Sequence, residues 1–431
     1  MVPTTLNVGR RPLKTDRRTF LKAGAALLAG AAAEGVYTQS SAEGALKENA
    51  DALLRGATDE GDVPGVIATA TTRDGTIYEG AFGERVLGQN AAMTNDTVVW
   101  IASMTKALTG TAAMQLVEQG KLELDTPASR WAPELANVKV LVGWDNDQPV
   151  TRAPKRPITL RHLLTHTAGF AYDLWSPDLI RYEKAKGIPG VISCQNIALT
   201  TPLLFDPGER WEYGINIDWA GKMVESVSGK RLGAYLQENL FSPLGMNNTA
   251  FKITPDMRAR LAKIHMRGED GKFAPTNIEI PQEPEFEMGG GGLYSTAGDY
   301  LLFVRMILNR GTGNGNRVLK SETVDLMSRN AMGDTKVRML KTAMPTLTND
   351  AEFFPGMPKD WGLSFMINEE RAPTRRSAGS LAWAGLANTY FWIDQRKGVG
   401  GVYLTQVLPF ADDKALPLFY AFEKAVYQSM S

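Results

Sequence analysis

Two hydrophobic rhythms divide this chain, and they are distributed unevenly along it. From Gly65 to Gly83 the β-prone runs Val66-Ile67-Ala68-Thr69-Ala70-Thr71 and Thr76-Ile77-Tyr78-Glu79 flank Arg73-Asp74-Gly75, and Asp-Gly between two such runs predicts a hairpin. A second hairpin is predicted near the other end, where Thr389-Tyr390-Phe391-Trp392-Ile393 and Val402-Tyr403-Leu404-Thr405 flank the turn Gln395-Arg396-Lys397-Gly398. A helix follows it. Its apolar positions Ala415, Leu418, Phe422 and Val426 recur at helical spacing, so that helix should lie on the sheet. Residues 126–289 instead read as helices and Pro/Gly-containing loops, for example Ile158 to His166 and Trp219 to Asn239. These patterns predict an α/β (α+β) fold whose antiparallel sheet, flanked by helices, is assembled from both chain ends. Residues 45–125 and 290–431 would form that discontinuous domain, residues 126–289 a mostly helical inserted domain, and a cleft would lie between them.

One further helical run carries chemistry. Met104, Ala107, Leu108, Thr111, Met114 and Val117 keep helical spacing up to Gly120, which predicts a buried helix opened by Ser103 and closed by a glycine cap. Ser103 and Lys106 are three apart and share one helix face, so the amine can reach the serine oxygen and act as its base. The helix N-terminus adds partial positive charge where an oxyanion would form. Ser-x-x-Lys by itself occurs by chance in long chains. Here both residues lie within an apolar segment, Val98 to Ala102 before and Ala107-Leu108 after, where an unpaired lysine is costly unless it has work to do.

Composition narrows the partners. The 431 residues carry 47 Lys+Arg against 47 Asp+Glu, so no broad basic surface is available for nucleic acid and a small-molecule substrate fits better. The single cysteine, Cys194, excludes an internal disulfide framework and a multi-cysteine metal site, and reads as a small buried residue. At the N-terminus, Asp16-Arg17-Arg18-Thr19-Phe20-Leu21-Lys22 precedes the apolar stretch Ala23 to Ala33, so residues 1–33 resemble a twin-arginine export signal. That stretch is too short for a membrane span, and the expectation is an exported protein, periplasmic or secreted.

An acyl-transfer site built on Ser103 and Lys106 needs a third group to pass a proton and a second oxyanion donor. Trp211-Glu212-Tyr213-Gly214-Ile215-Asn216-Ile217-Asp218 places a tyrosine at the entrance of a helix, and Gly385 in Ser380-Leu381-Ala382-Trp383-Ala384-Gly385-Leu386 would let backbone approach a substrate closely. With these three segments in order, the chain resembles the serine β-lactamase and penicillin-binding-protein superfamily, and within it the class C-like family VIII carboxylesterases. The likeness covers roughly residues 45–430 and includes Ile158-Thr159-Leu160-Arg161-His162-Leu163-Leu164-Thr165-His166-Thr167-Ala168-Gly169, Pro207-Gly208-Glu209, and Gly290-Gly291-Gly292-Leu293-Tyr294-Ser295-Thr296.

The resemblance implies a β-lactamase-like fold, with Ser103 as the acylated nucleophile and with Lys106 and Tyr213 sharing acid and base duty. It also implies an oxyanion hole from the backbone N–H groups of Ser103 and Leu386, a substrate wall including Trp383, Gly385 and Ile215, and neither metal nor organic cofactor. Two departures from the β-lactamase pattern bear on substrate. Ile215 stands at the third position of Tyr-x-Asn, and Trp383-Ala384-Gly385 stands for Lys-Thr-Gly, which removes an amide clamp and a carboxylate-binding cation. The expectation is therefore a serine esterase for small or medium carboxylic esters. A β-lactamase or D-amino-acid peptidase of the same fold is the nearest alternative, and a non-catalytic binding or sensor domain a more distant one. Several motifs are set aside. His162 and His166 read as helix-end histidines rather than metal ligands, Gly362-Leu363-Ser364 as no hydrolase elbow, Lys341-Thr342-Ala343 as surface, Gly289 to Gly292 as close backbone packing, and Arg375 and Arg376 as solvated strand-edge charges that could meet an anionic substrate.

Overall fold

The computed structural model describes residue 1 and residues 44–430; the export-signal reading falls outside these residues. Eight antiparallel strands form the main sheet: β1 (Gly65–Thr72), β2 (Thr76–Val86), β3 (Ala91–Ala92), β4 (Lys359–Trp361), β5 (Met366–Asn368), β6 (Leu381–Gly385), β7 (Thr389–Asp394) and β8 (Val399–Leu404). Their order across the sheet is β4-β5-β6-β7-β8-β1-β2-β3, so the N-terminal hairpin and the C-terminal strands join where β1 pairs with β8. Both expected hairpins are present, and the helix following β8 spans Ala415–Ser429. The short outer strands β3, β4 and β5 went unread, because two or three residues leave no periodicity to find.

The centre of the sheet is buried on both faces. Along β7, Tyr390 stacks on Phe419 and Trp392 packs against it at a tilt, while Phe391 on the opposite face meets Tyr300 of the helix Ala297–Leu308. All six residues of β7 are therefore buried, and the strand reads as a continuous apolar run rather than an alternating one. Glycine makes the close packing possible on β8. A Cβ on Gly401 would come within 2.2 Å of the Trp392 ring, and one on Gly400 within 2.7 Å of Val304.

The region between the two β segments contains short helices and turns. Its longest helix, Asn216–Ser228, packs against the helix Thr105–Glu118. The expected helix from Trp219 to Asn239 is broken, because Gly229 takes the left-handed conformation (φ 68°) and ends the first segment before a new one starts at Leu232. The expected Ile158–His166 helix shortens to Leu160–Leu164. A hairpin of Val140–Asp145 with Gln148–Arg152 also lies in this stretch, and His265–Arg267 pairs in parallel with Val407–Leu408. No helix among the described residues is long and apolar enough to cross a membrane.

Replacing Gly401 by Ala should destabilise the protein by about 1–3 kcal/mol, since the new methyl group has no space beside Trp392 and the sheet must shift to admit it. Thermal denaturation checks this, and Trp392→Leu in the same background should recover part of the loss.

Candidate active site

Ser103 is presented by a strained turn. Val99-Trp100 pairs with Tyr294-Ser295, the Ile101 N–H donates to Leu293 O at 3.1 Å, and the Gln406 side chain bonds both the N–H and the C=O of Trp100 at 3.0 Å. Ala102 then adopts φ 44°, a left-handed conformation uncommon for alanine, and the chain enters a 3₁₀ turn that leads into the helix Thr105–Glu118. This turn leaves Ser103 partly exposed on a cavity while Lys106, one turn later, is fully buried. Gly120 follows the helix with φ 67°, as its sequence position predicts. Lys106 is not the only buried residue of this helix; the first twelve, Thr105 to Leu116, are all buried.

Lys106 Nζ has three polar neighbours. It lies 3.0 Å from Ser103 Oγ and 3.0 Å from Tyr172 Oη, and it donates to Gly290 O at 2.5 Å. Burial pushes the amine well below the ordinary lysine range, and the negative charge of Asp218 pulls it back up. Asp218 is itself fully buried in the first turns of the helix Asn216–Ser228. Burial raises its carboxyl, opposed chiefly by Lys106. Its Oδ1 accepts the Gly290 N–H at 2.8 Å, while its Oδ2, buried beside the same glycine, has no hydrogen-bond partner among the described residues. Gly290 thus sits between carboxylate and amine, with no room for a side chain: a Cβ there would lie 2.5 Å from Asp218 Oδ2 and 2.9 Å from Tyr172 Oη.

Tyr213 closes the other side. Its ring lies 4.6 Å from Lys106 Nζ, it lines the cavity together with Ser103, and the indole Nε1–H of Trp383 donates to its hydroxyl at 2.9 Å. Burial drives the Tyr213 phenol upward, so it is a neutral O–H donor and not a standing phenolate. The chain reaches Tyr213 by running tightly past Tyr172: a Cβ on Gly214 would lie 2.5 Å from Ala171, Tyr172 N–H donates to Tyr213 O, and the two rings meet edge-on at 5.3 Å.

The cavity holds about 330 Å³ and is walled mainly by Trp100, Tyr172, Leu174, Trp175, Val191, Ile192, Met288, Leu340, Met344, Leu347, Trp383, Leu386 and Phe410. Ser103, Tyr213 and Gly385 open onto it. Gly385 is where β6 docks on the nucleophile turn. A Cβ there would lie 2.3 Å from both Ile101 O and Thr389 Oγ1, and Leu386 follows directly at the cavity surface. Among the described residues no lysine or arginine lines the cavity, and the one carboxylate that does is Asp173.

The structure therefore brings Ser103, Lys106, Tyr213, Trp383, Gly385 and Leu386 together, but not Ile215. Ile215 is buried at the start of its helix and faces a separate small void against Ala171 and Leu179 rather than the cavity. Asn216 also points away, with its Nδ2 3.0 Å from His166 Nδ1. Arg376 is corrected as well. It is fully buried, bound to both carboxylate oxygens of Glu423 at 2.6 and 2.7 Å, and cannot meet a substrate. His162 caps its helix, accepting the Thr159 N–H on Nδ1, and among the described residues no three His, Cys, Asp or Glu side chains come together as a metal site. Leu340, Met344 and Leu347, around Lys341-Thr342-Ala343, form cavity wall where the sequence suggested only surface.

Sequence reasoning missed Tyr172, Asp218 and the Gly290 carbonyl. Asp218 follows Tyr213 by five residues and reads as an ordinary acidic residue in a helix's first turn; its burial against Lys106 depends on how two distant helices pack.

Comparison with known proteins agrees with this geometry. A lovastatin esterase of Penicillium rubens is 32% identical over 88% of this chain and 98% of its own length, and monacolin J acid methylbutanoyltransferase of Aspergillus terreus is 32% identical over 88% and 94%. Among solved structures, a mutant of simvastatin synthase (LOVD) from Aspergillus terreus superposes with a TM-score of 0.77 at 32% identity, covering 88% of this chain and 96% of that one. The beta-lactamase family model matches residues 50–424, and with its eight-stranded antiparallel sheet and buried Ser-x-x-Lys helix the chain belongs to the beta-lactamase family.

Proposed function

We propose that this protein cleaves carboxylic esters through an acyl-enzyme on Ser103, and that an alcohol can replace water as the acceptor. The observation that carries the reading is the Ser103–Lys106 contact at 3.0 Å beneath a mostly apolar cavity of about 330 Å³ onto which Ser103 and Tyr213 both open. Ser103 Oγ attacks the ester carbonyl carbon while its proton leaves toward Lys106, and the backbone N–H groups of Ser103 and Leu386 receive the resulting oxyanion. The C–O bond to the alcohol then breaks. Tyr213, a neutral phenol held by Trp383, gives the departing oxygen its proton and is restored from the Lys106 ammonium. A second acceptor, water or alcohol, reverses the sequence and frees the acid or a new ester.

The apolar walls suit esters with an apolar acyl or alcohol part, and the relatives named as an esterase and a methylbutanoyltransferase support both acceptors. A β-lactam is disfavoured. No cation lines the cavity to meet its carboxylate, and Asp173 would repel it. Arg17-Arg18 ahead of an apolar run supports export of the folded enzyme.

A fluorophosphonate probe should label Ser103 once per chain, and Ser103→Ala should abolish both labelling and ester turnover; an adduct on another serine, found by mass spectrometry, would remove the reading. Lys106→Ala and Tyr213→Phe should each slow acylation by about a hundredfold or more, with the double variant scarcely slower, because the two residues act on one proton. A p-nitrophenyl ester should exceed a chromogenic cephalosporin in kcat/KM by roughly a thousandfold, since each missing polar anchor is worth about one to two decades. Adding a primary alcohol during steady-state turnover should divert the acyl group into a new ester, quantified by chromatography, while leaving the labelling rate of Ser103 unchanged.

A further inference from the structure

Lys106 is hemmed in by three oxygens, and that number constrains its protonation. A free amine has two N–H bonds and one lone pair. Gly290 O has no proton to give, so it must take one N–H. Tyr172 Oη and Ser103 Oγ remain, and one of them must receive the second N–H while the other donates to the lone pair. The Tyr172 hydroxyl and Oδ2 of the buried Asp218 carboxylate border the same space beside Gly290, and that Oδ2 has no other hydrogen-bond partner among the described residues and can only accept when ionised. Burial keeps the Tyr172 phenol protonated, so its single proton goes to Asp218 and its oxygen takes the N–H of Lys106. The lone pair is then left pointing at Ser103.

We propose that Asp218, acting through Tyr172 and Gly290, is the positioning residue that aims the Lys106 lone pair at the Ser103 hydroxyl and stabilises the ammonium formed when that proton arrives. This rests on the acyl-enzyme reading above and deepens it by assigning the base. Trp383 Nε1–H donates to Tyr213 Oη, which leaves that hydroxyl's own proton for the cavity it shares with Ser103, and the Ser103 hydroxyl turns to Lys106. When Ser103 forms its bond to the carbonyl carbon, its proton passes to Nζ, which becomes an ammonium with three N–H bonds. Two stay on Gly290 O and Tyr172 Oη, and the third faces the reacting oxygen. No proton is left over and no co-reactant is needed. Asp218 carries the balancing charge in a pocket that water does not reach, and its other fixed contact, the Gly290 N–H, keeps the carboxylate in place.

The titratable groups facing Lys106 are few. Ser103 lies on its own turn, Tyr172 and His166 come from the segment after Leu164, and Tyr213 and Asp218 from the segment entering the helix Asn216–Ser228. Burial holds His166 well below its ordinary range and both tyrosines above theirs, so none of them changes charge near neutrality. Among the described residues, Asp218 is the one group whose charge acts on the amine.

The base must be the free amine, so the acylation rate rises with pH as Lys106 loses its proton. Removing the carboxylate makes that proton easier to lose and moves the rising limb toward acid. Asp218→Asn keeps an oxygen for the Gly290 N–H and should shift the limb of kcat/KM for a p-nitrophenyl ester acidward by about one pH unit or more. The plateau should also fall about tenfold with KM unchanged, because Asp218 does not line the cavity. The rate of Ser103 labelling by a fluorophosphonate, followed across the same pH range, should shift in parallel. Tyr172→Phe removes the link and should move the limb in the same direction. A folded Asp218→Asn enzyme whose limb stays in place in both readouts overturns the proposal; if that variant does not fold, an unmoved limb in Tyr172→Phe does so. Ser103 failing to label at all in the unaltered enzyme would instead remove the acyl-enzyme reading, which is a separate outcome.

Discussion

An amine with no access to water sits at the centre of this protein, and the surrounding structure is arranged to make that tolerable. Moving an ammonium out of water costs several kcal/mol even after relaxation, so Lys106 can stay buried only by spending time as the free base and by having every N–H and its lone pair occupied. Each occupant imposes a further constraint. The Gly290 carbonyl can approach only because Gly290 lacks a Cβ, the Tyr172 hydroxyl only because Gly214 lets the two chain segments touch, and Asp218 only because the helix Asn216–Ser228 packs flat on the helix that carries Lys106. The enveloping core around Thr105–Glu118 is thus part of the chemistry. An amphipathic helix with one wet face would leave the lysine solvated and a poor base at neutral pH.

The aromatic side of the site answers a second constraint, which is how to hold a phenol beside the serine without letting it ionise. Trp383 contributes its ring to the cavity wall and its indole N–H to Tyr213, so the residue standing where a β-lactamase motif has lysine supplies a hydrogen bond but no charge. A cation at that position would favour the phenolate and attract a substrate carboxylate at the same time. Tryptophan does neither. Under the proposed mechanism Tyr213 would consequently stay a proton donor and the cavity would favour uncharged acyl groups, so this one residue would set both the proton chemistry and the substrate preference.

Much of this was legible in the sequence, and the exceptions share a physical reason. The spacing of Ser103 and Lys106, the apolar residues on either side, the two hairpins and the C-terminal helix are local signals, and local signals survive without tertiary information. Tyr213 was found because the order of three motifs fixed it. Asp218, Tyr172 and the Gly290 carbonyl were invisible because each acquires its role from a neighbour more than forty residues away in the chain. Ile215 was misplaced for the converse reason: its position in a motif suggested contact with substrate, but the backbone leaves Tyr213 in a near-helical turn (φ −68°, ψ 14° at Ile215) that carries the side chain behind the cavity wall. Arg376 looked solvated at a strand edge, yet its partner, Glu423, lies on a helix that only the folded sheet brings near. A single sequence reports what a residue is next to along the chain. It reports poorly what the fold places opposite.

In the proposed mechanism water and alcohol would compete for the same acyl-enzyme, and the cavity would bias that competition through its surface rather than through any dedicated residue. A mostly apolar pocket of about 330 Å³ holds water weakly, because a bound water needs two to four polar partners and the walls offer few. An alcohol with an apolar body gains contact with Leu174, Met344, Leu347 and Phe410 as it enters, and it brings its hydroxyl to the same Ser103–Tyr213–Lys106 cluster that served the leaving group. The reverse of acylation is, by microscopic reversibility, the acceptance of an alcohol. A site that departs from water this far should therefore partition toward acyl transfer whenever a fitting alcohol is present, and toward hydrolysis when it is not. Bulk polarity of the cavity, set by residues remote from Ser103, would then govern which of two products the proposed catalytic cluster yields.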